Sequence, residues 1–264
     1  MNRINQLFKQ KSKDVCSIFL TAGFPNLNDT VKTVLELEQN GVDMVEIGMP
    51  FSDPLADGET IQSSSLVALE NGMTIDILFR QILAIREQSQ IPIVLMGYFN
   101  PVFKYGLELF LKKCELSGVD GLIIPDISVE EYELNYKSLF EKYQVPLTFL
   151  VTPKTSTARF EKIKNHSSTF IYYVSSASTT GKTGEFSAEQ LIDFEQMKSE
   201  EINLPVLMGF GIHDSKSFKT ACNYFEGGII GSAFIRSRKE GKSIVDFVGE
   251  IKGIRTESVL RRTN

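Results

Sequence analysis

Apolar and polar positions along this chain follow two rhythms that take turns from one end to the other. Short runs rich in β-branched residues, apolar at successive positions, read as strands covered on both faces. They are VCSIFLT (15–21), VDMVEI (42–47), IPIVLM (91–96), VDGLII (119–124), VPLTFLV (145–151), TFIYYV (169–174), LPVLMG (204–209) and EGGIIG (226–231). Between them apolar positions recur at helical spacing over 29–40, 75–87, 107–117, 128–143, 156–164, 188–199, 215–223 and 243–254. Ser128, Ser156, Ser187 and Asp214 stand where helix N-caps belong. Ile4, Leu7 and Phe8 form one face of an extra N-terminal helix. Eight strand–helix units in 264 residues predict an α/β chain folded as a (β/α)8 TIM barrel, for which about 250 residues is typical. A doubly wound open sheet fits less well, because no G-x-G-x-x-G turn follows the first strand. No linker interrupts the alternation, so residues 1–264 read as a single domain. GVDMVEIG and GVDGLIIP echo each other, a local repeat of the βα unit.

Composition changes the picture mainly by exclusion. The net charge is −5, with no basic cluster before the final ESVLRRTN, so no nucleic-acid partner is expected. No apolar run approaches the ~20 residues of a membrane span, and MNRINQLFKQKSKD lacks the apolar centre of a secretory signal. The expected location is the cytoplasm, or the plastid stroma if the chain is plastid-encoded. Cys16, Cys114 and Cys222 are isolated and odd in number, the pattern of buried thiols in a reducing compartment. His166 and His213 share no ligand spacing, and no metal site is expected.

In a barrel of this kind chemistry gathers at the C-terminal ends of the strands and in the loops after them. Glu46 falls near the end of the second strand, and a carboxylate in so apolar a run is costly without a partner. Asp53 and Asp57 lie in the loop that follows. Asp53-Pro54 and Asp57-Gly58 are also good turn pairs, so the residues alone leave a turn role open for both. Glycine clusters follow three neighbouring strands: TTGKTGE after the sixth, GFG (209–211) after the seventh and GGIIGSA (227–233) at the eighth. Glycine lets backbone N–H groups approach an anion, and Ser232 adds a hydroxyl at a helix start, so a small phosphorylated substrate is the physical reading. Lys154, in LVTPKTS, is a candidate Schiff-base lysine, but its place before a helix cap reads better as a solvated loop. Tyr172 and Tyr173 are consecutive in a strand, so only one can face the barrel interior.

FLTAGFP, VEIGMPFSDPLADG, GYFNPVFKYG, GVDGLIIPD, FIYYVS, MGFGI and GSAFI occur in this order, and with them the chain resembles the tryptophan synthase alpha subunit family nearly end to end. That resemblance implies retro-aldol cleavage of indole-3-glycerol phosphate to indole and glyceraldehyde 3-phosphate, without metal or cofactor. It implies Glu46 as general acid–base and Asp57 as the group that holds the indole N–H and stabilises the ring cation. Phe19 and Tyr98 would contact the indole, Tyr172 would line the pocket, and Gly181, Phe210, Gly211, Gly231 and Ser232 would hold the phosphate. Thr180 would close onto Asp57. Asp53, Pro54, Asn100 and Pro101 would face a beta subunit, with Asp126 supporting that side, in an α2β2 heterotetramer whose pyridoxal phosphate sits on the beta partner. The sequence departs from the family after the sixth strand: Ser176 stands where an Arg is usual, in YVSSASTTG. Other readings consistent with these features are a stand-alone indole-producing lyase, a phosphosugar isomerase on the same barrel, and a catalytically weakened subunit that mainly activates its partner.

Overall fold

Parallel strands, each followed by one or more helices, wind once around a closed sheet in the computed structural model, which describes residues 2–54, 57–175 and 186–254. The strands are β1 (Val15–Thr21), β2 (Met44–Gly48), β3 (Ile93–Met96), β4 (Gly121–Ile123), β5 (Leu147–Thr148), β6 (Leu150–Val151), β7 (Ile171–Val174), β8 (Val206–Gly209) and β9 (Gly227–Ile230). They pair in the order β5-β4-β3-β2-β1-β9-β8-β7-β6. The two outermost segments, β5 and β6, are halves of one run interrupted at Phe149, so the chain itself closes the ring. The Phe149 carbonyl still accepts the Tyr172 N–H at 3.3 Å. Counting that run once gives eight strands, and the fold is a (β/α)8 barrel.

The helices are α1 (Arg3–Gln10), α2 (Asp29–Gln39), α3 (Glu59–Glu70), α4 (Ile75–Arg86), α5 (Phe99–Tyr105), α6 (Leu107–Ser117), α7 (Val129–Glu131), α8 (Lys137–Lys142), α9 (Thr157–His166), α10 (Ala188–Ser199), α11 (Ser215–Tyr224), α12 (Ser232–Lys239) and α13 (Ile244–Lys252), with a π-helical turn, Tyr132–Tyr136, joining α7 to α8. The four expected caps all hold. Ser128, Ser156, Ser187 and Asp214 accept the backbone N–H groups of Glu131, Arg159, Gln190 and Ser217. Three helices, α3, α5 and α12, lie outside the helical stretches expected from the sequence, although a helix start at Ser232 is expected. α3 carries three consecutive serines and little apolar periodicity, and α5 contains Pro101. Pro101 lies in the first turn of α5, where a missing N–H costs no intrahelical bond.

Apolar side chains form two shells. One fills the space between strands and helices; the other fills the barrel and includes Val15, Met44, Val94, Tyr172, Leu207 and Ile229. Ile4 is fully buried in that inner shell, with Leu7 and Phe8 packed against it, so α1 plugs the barrel at the N-terminal ends of the strands. The GVD echo has a structural reason. Asp43 accepts the Cys16 N–H at 2.8 Å and Asp120 accepts the Ile93 N–H at 2.9 Å, each just ahead of one strand and tied to the start of its neighbour. Glu226 does the same for Val206 at 2.8 Å. Asp120 also pairs with Arg3 at 3.0 Å and Arg86 at 2.7 Å. Among the described residues no helix is long and apolar enough to cross a membrane.

Candidate active site

Strand alternation decides which side chains enter the barrel mouth. Met44 belongs to the inner shell, so Glu46, two residues on, points the same way. Its register partners are Phe19 on β1 and Val94 on β3. Glu46 is fully buried, and neither carboxylate oxygen has a hydrogen-bond partner among the described residues. Loss of water therefore pushes its carboxyl up to about 8. The contrast with Asp120 is direct. That carboxylate is equally buried but is surrounded by two guanidinium groups and a backbone N–H.

Asp57 sits just ahead of Gly58, the N-cap of α3. Its carboxylate accepts the Tyr98 phenol at 3.2 Å, while Tyr98 stacks on Phe51 with ring centroids 5.4 Å apart. Burial raises the Asp57 pKa and the Tyr98 hydrogen bond partly offsets it. Tyr172 is the strand-seven tyrosine that faces inward; Tyr173 packs outward against Phe194 and Phe225. Burial drives the Tyr172 phenol well above its ordinary value, and the negative charges of Glu46 and Asp57 add to that effect. Both carboxylates thus act on one phenol. The Tyr172 ring lies across Gly209, where an added Cβ would meet the hydroxyl at 2.2 Å.

A cavity of ≈ 70 Å³ is lined by Phe19, Asp57, Gly58, Ile61, Met96, Tyr172, Phe210, Ile229, Gly231 and Ser232. A smaller space of ≈ 20 Å³ adjoins it around Phe19, Asp57 and Tyr98. A ring ligand needs about 150 Å³, the volume that accepts a benzene, so its entry requires the apolar walls to move. Larger clefts of ≈ 610 and ≈ 410 Å³ lie at the opposite end of the barrel, around α1. The larger is lined by polar groups engaged with one another, such as Arg3 with Asp120 and Gln90. The ≈ 70 Å³ cavity opens at the strand C-termini beside Asp57, with Glu46 outside its lining.

Phe210, Gly231 and Ser232 belong to the lining of that cavity. Phe210 and Gly211 both adopt positive φ, 69° and 77°. α12 starts at Ser232 after Gly231, and its first intrahelical bond is Ile235 N–H to Gly231 O at 3.1 Å. The amides of Ser232, Ala233 and Phe234 therefore precede the helical ladder, in a place suited to an anion.

The structure brings Phe19, Asp57, Tyr98, Tyr172, Phe210, Gly231 and Ser232 to these two spaces, with Glu46 buried behind Phe19 and Gly211 next in the 210–211 turn. Thr180, Gly181 and Ser176 lie outside the described residues. Asp53 and Asn100 are exposed and Pro101 is half-buried, whereas Pro54 is buried, its carbonyl accepting the Asp57 N–H at 3.2 Å. Asp126 caps α5, with its two oxygens 2.9 and 3.1 Å from the Phe99 amide. Lys154 is exposed, far from a desolvated setting. Met96, Ile61 and Ile229 were not singled out from the sequence. Met96 has the inward parity of Val94, a readable signal, whereas Ile61 comes from the unforeseen helix α3. Among the described residues no three His, Cys, Asp or Glu side chains gather as metal ligands would.

A family model described as "Tryptophan synthase alpha chain" matches residues 5–252. The tryptophan synthase alpha chain of Flavobacterium psychrophilum is 52% identical over 253 residues, covering 95% of this chain and 100% of that one. That of Flavobacterium johnsoniae is 52% identical and covers 96% of this chain and 100% of its own. Among solved structures, the tryptophan synthase subunit alpha of Legionella pneumophila superposes with a TM-score of 0.85 at 29% identity, covering 99% of both chains.

Proposed function

Because the chain belongs to the tryptophan synthase alpha chain family, we propose that it cleaves indole-3-glycerol phosphate to indole and glyceraldehyde 3-phosphate, a carbon–carbon lyase step in tryptophan synthesis. The observation that carries this reading is Glu46: a carboxyl buried inside the barrel, without a hydrogen-bond partner among the described residues, and raised to about 8. Such a group holds a proton near neutral pH and can both give and take it.

Protonated Glu46 donates to C3 of the indole ring, which leaves positive charge on the ring nitrogen. Charged Asp57 accepts the ring N–H and stabilises that charge. Glu46, now a carboxylate, takes the proton from the hydroxyl on the carbon attached to C3. The bond between that carbon and the ring breaks, its electron pair neutralises the ring cation, and the hydroxyl carbon becomes the aldehyde. One proton enters and one returns, so Glu46 ends as it began. Phe19 and Tyr98 hold the indole, Tyr172 separates it from the inner barrel, and the Phe210–Gly211 turn with the Gly231–Ser232 helix start binds the phosphate, together with Gly181, while Thr180 would close onto Asp57. Neither metal nor cofactor enters this scheme.

Indole would pass to a tryptophan synthase beta subunit bearing pyridoxal phosphate, in an α2β2 assembly. The face offered to it carries Asp53, Asn100 and Pro101, while Pro54 is buried. Phe103 on that face is 62% exposed and stacks on Phe99, which in turn stacks on Tyr136. Indole release by the purified chain, with and without a beta subunit, tests the reading. Retention of both carboxylates favours a working lyase over a subunit that only activates its partner.

A further inference from the structure

Phe210 is a bulky residue in the left-handed region, with φ 69°, and Gly211 follows at 77°. Side chains other than glycine, asparagine and aspartate seldom adopt that conformation unless the surroundings impose it, and such residues cluster at functional sites. Ser175 bonds directly to this turn. This residue follows β7, is 1% exposed, and shares its one hydroxyl proton between the carbonyls of Phe210 at 3.1 Å and Gly209 at 3.3 Å. Its own N–H also reaches Gly209 O, at 3.3 Å. The Gly211 carbonyl lies 2.9 Å from His213 Nδ1. Three successive carbonyls are thus tied back into the protein. From the other side Phe186 lies so close to Gly211 that an added Cβ would meet its ring at 2.9 Å, and Phe194 braces that ring edge-on at 5.2 Å.

We propose that Ser175 is a positioning residue: by holding Phe210 and Gly211 in their left-handed turn, its hydroxyl sets the affinity of this site for the phosphate of the substrate. The inference rests on the reading of the 210–211 turn as a phosphate-binding element. Ser175 touches neither substrate nor the reacting atoms. It acts on binding rather than on the proton transfers, and its removal shows in KM rather than kcat.

The test is a double-mutant cycle read by calorimetry with sn-glycerol 3-phosphate, alongside indole-release kinetics. Ser175→Ala weakens glycerol phosphate binding about tenfold and raises KM for indole-3-glycerol phosphate by a similar factor, with kcat within about threefold of wild type. Phe210→Gly supplies a residue that adopts positive φ without help, so in that background Ser175→Ala changes phosphate affinity less than about threefold. An unchanged affinity in Ser175→Ala overturns the inference, as does an equal loss in both backgrounds, since a hydroxyl that merely stabilised the fold would act regardless of residue 210. No binding by the wild-type chain overturns the phosphate reading itself and this inference with it.

Discussion

Glu46 and Phe19 are register partners on adjacent strands, so the unpartnered carboxyl of the barrel interior stands directly beside a ring of the cavity wall. The Phe19 ring in turn lies over Gly48, where an added Cβ would meet it at 2.4 Å. Glycine at that strand end makes room for the ring, and the ring covers the acid. The acid is dry because of its neighbours, and its protonation behaviour follows from that.

The raised Glu46 carboxyl makes stability depend on pH. Between the ordinary value of 4.5 and about 8 the folded chain keeps a proton that the unfolded chain releases. Stability from this group is therefore complete below about 4.5 and falls as pH rises toward 8, by at most about 1.4 kcal/mol per unit. Glu46→Gln has no such proton to lose. Urea unfolding from pH 5 to 8 should show a decline in the wild type that flattens in the variant. Parallel slopes would mean that Glu46 is ionised in the folded chain.

Tyr98 restrains a rise that burial imposes on Asp57. Tyr98→Phe removes the hydrogen bond, so the Asp57 pKa climbs further and the charged form is lost at a higher pH. The acid limb of the kcat profile for indole release should move to higher pH. Asp57→Asn, which keeps the shape and removes the charge, should lower kcat about 100-fold or more with a smaller change in KM, because the contact strengthens toward the transition state. A collapse of affinity at constant kcat would make Asp57 a binding group only.

Gly227 and Gly58 offer a matched pair of alanine substitutions. A Cβ on Gly227 would sit 2.0 Å from the Val15 carbonyl oxygen, backbone against backbone where β9 meets β1. Gly227→Ala should cost on the order of 3 kcal/mol or more by forcing that pair of strands apart. Among the described residues nothing lies within 4 Å of a Cβ on Gly58, so Gly58→Ala should cost only about 1 kcal/mol, the difference between Gly and Ala at an N-cap. Thermal unfolding of both variants checks the contrast.

Much of the fold was legible because alternation and capping are local. Strand parity, the caps at Ser128, Ser156, Ser187 and Asp214, and the inward face of α1 depend on neighbours a few residues away. The break at Phe149 was not legible, because VPLTFLV reads as one continuous strand and only ring closure divides it. α3 was missed because Ser64 and Ser65 are buried by tertiary contact, Ser64 against Thr21 at 2.7 Å, and polar side chains give no apolar period. At the site, a carboxylate at a strand end was visible as an expense without a partner. That Asp57 joins it around Tyr172 depends on β2 and β7 facing one another across the barrel, a relation between residues more than 100 apart in sequence. The left-handed Phe210 was not legible either, since no local signal asks a phenylalanine to take positive φ.

Asp120 should be the main fastening of the barrel's closed end. Asp120→Ala leaves Arg86 and Arg3 without their carboxylate and the Ile93 N–H without its acceptor. A loss of about 3 kcal/mol is expected from breaking a buried pair, with indole release at low temperature nearly unchanged because the working site lies at the other end. Chemical denaturation alongside the assay separates the two effects. A large loss of activity at unchanged stability would contradict this division of labour between the two ends.

The central claim is that Glu46 carries the proton in cleavage of indole-3-glycerol phosphate, and indole release by purified wild type and Glu46→Gln, with a beta subunit present, tests it most directly. The account predicts indole from the wild type and a loss of at least about 100-fold in kcat for a variant of native circular dichroism, in line with the 10²–10⁴ of general acid–base catalysis. Glu46→Gln turning over at the wild-type rate, or a wild-type chain that releases no indole, would contradict it.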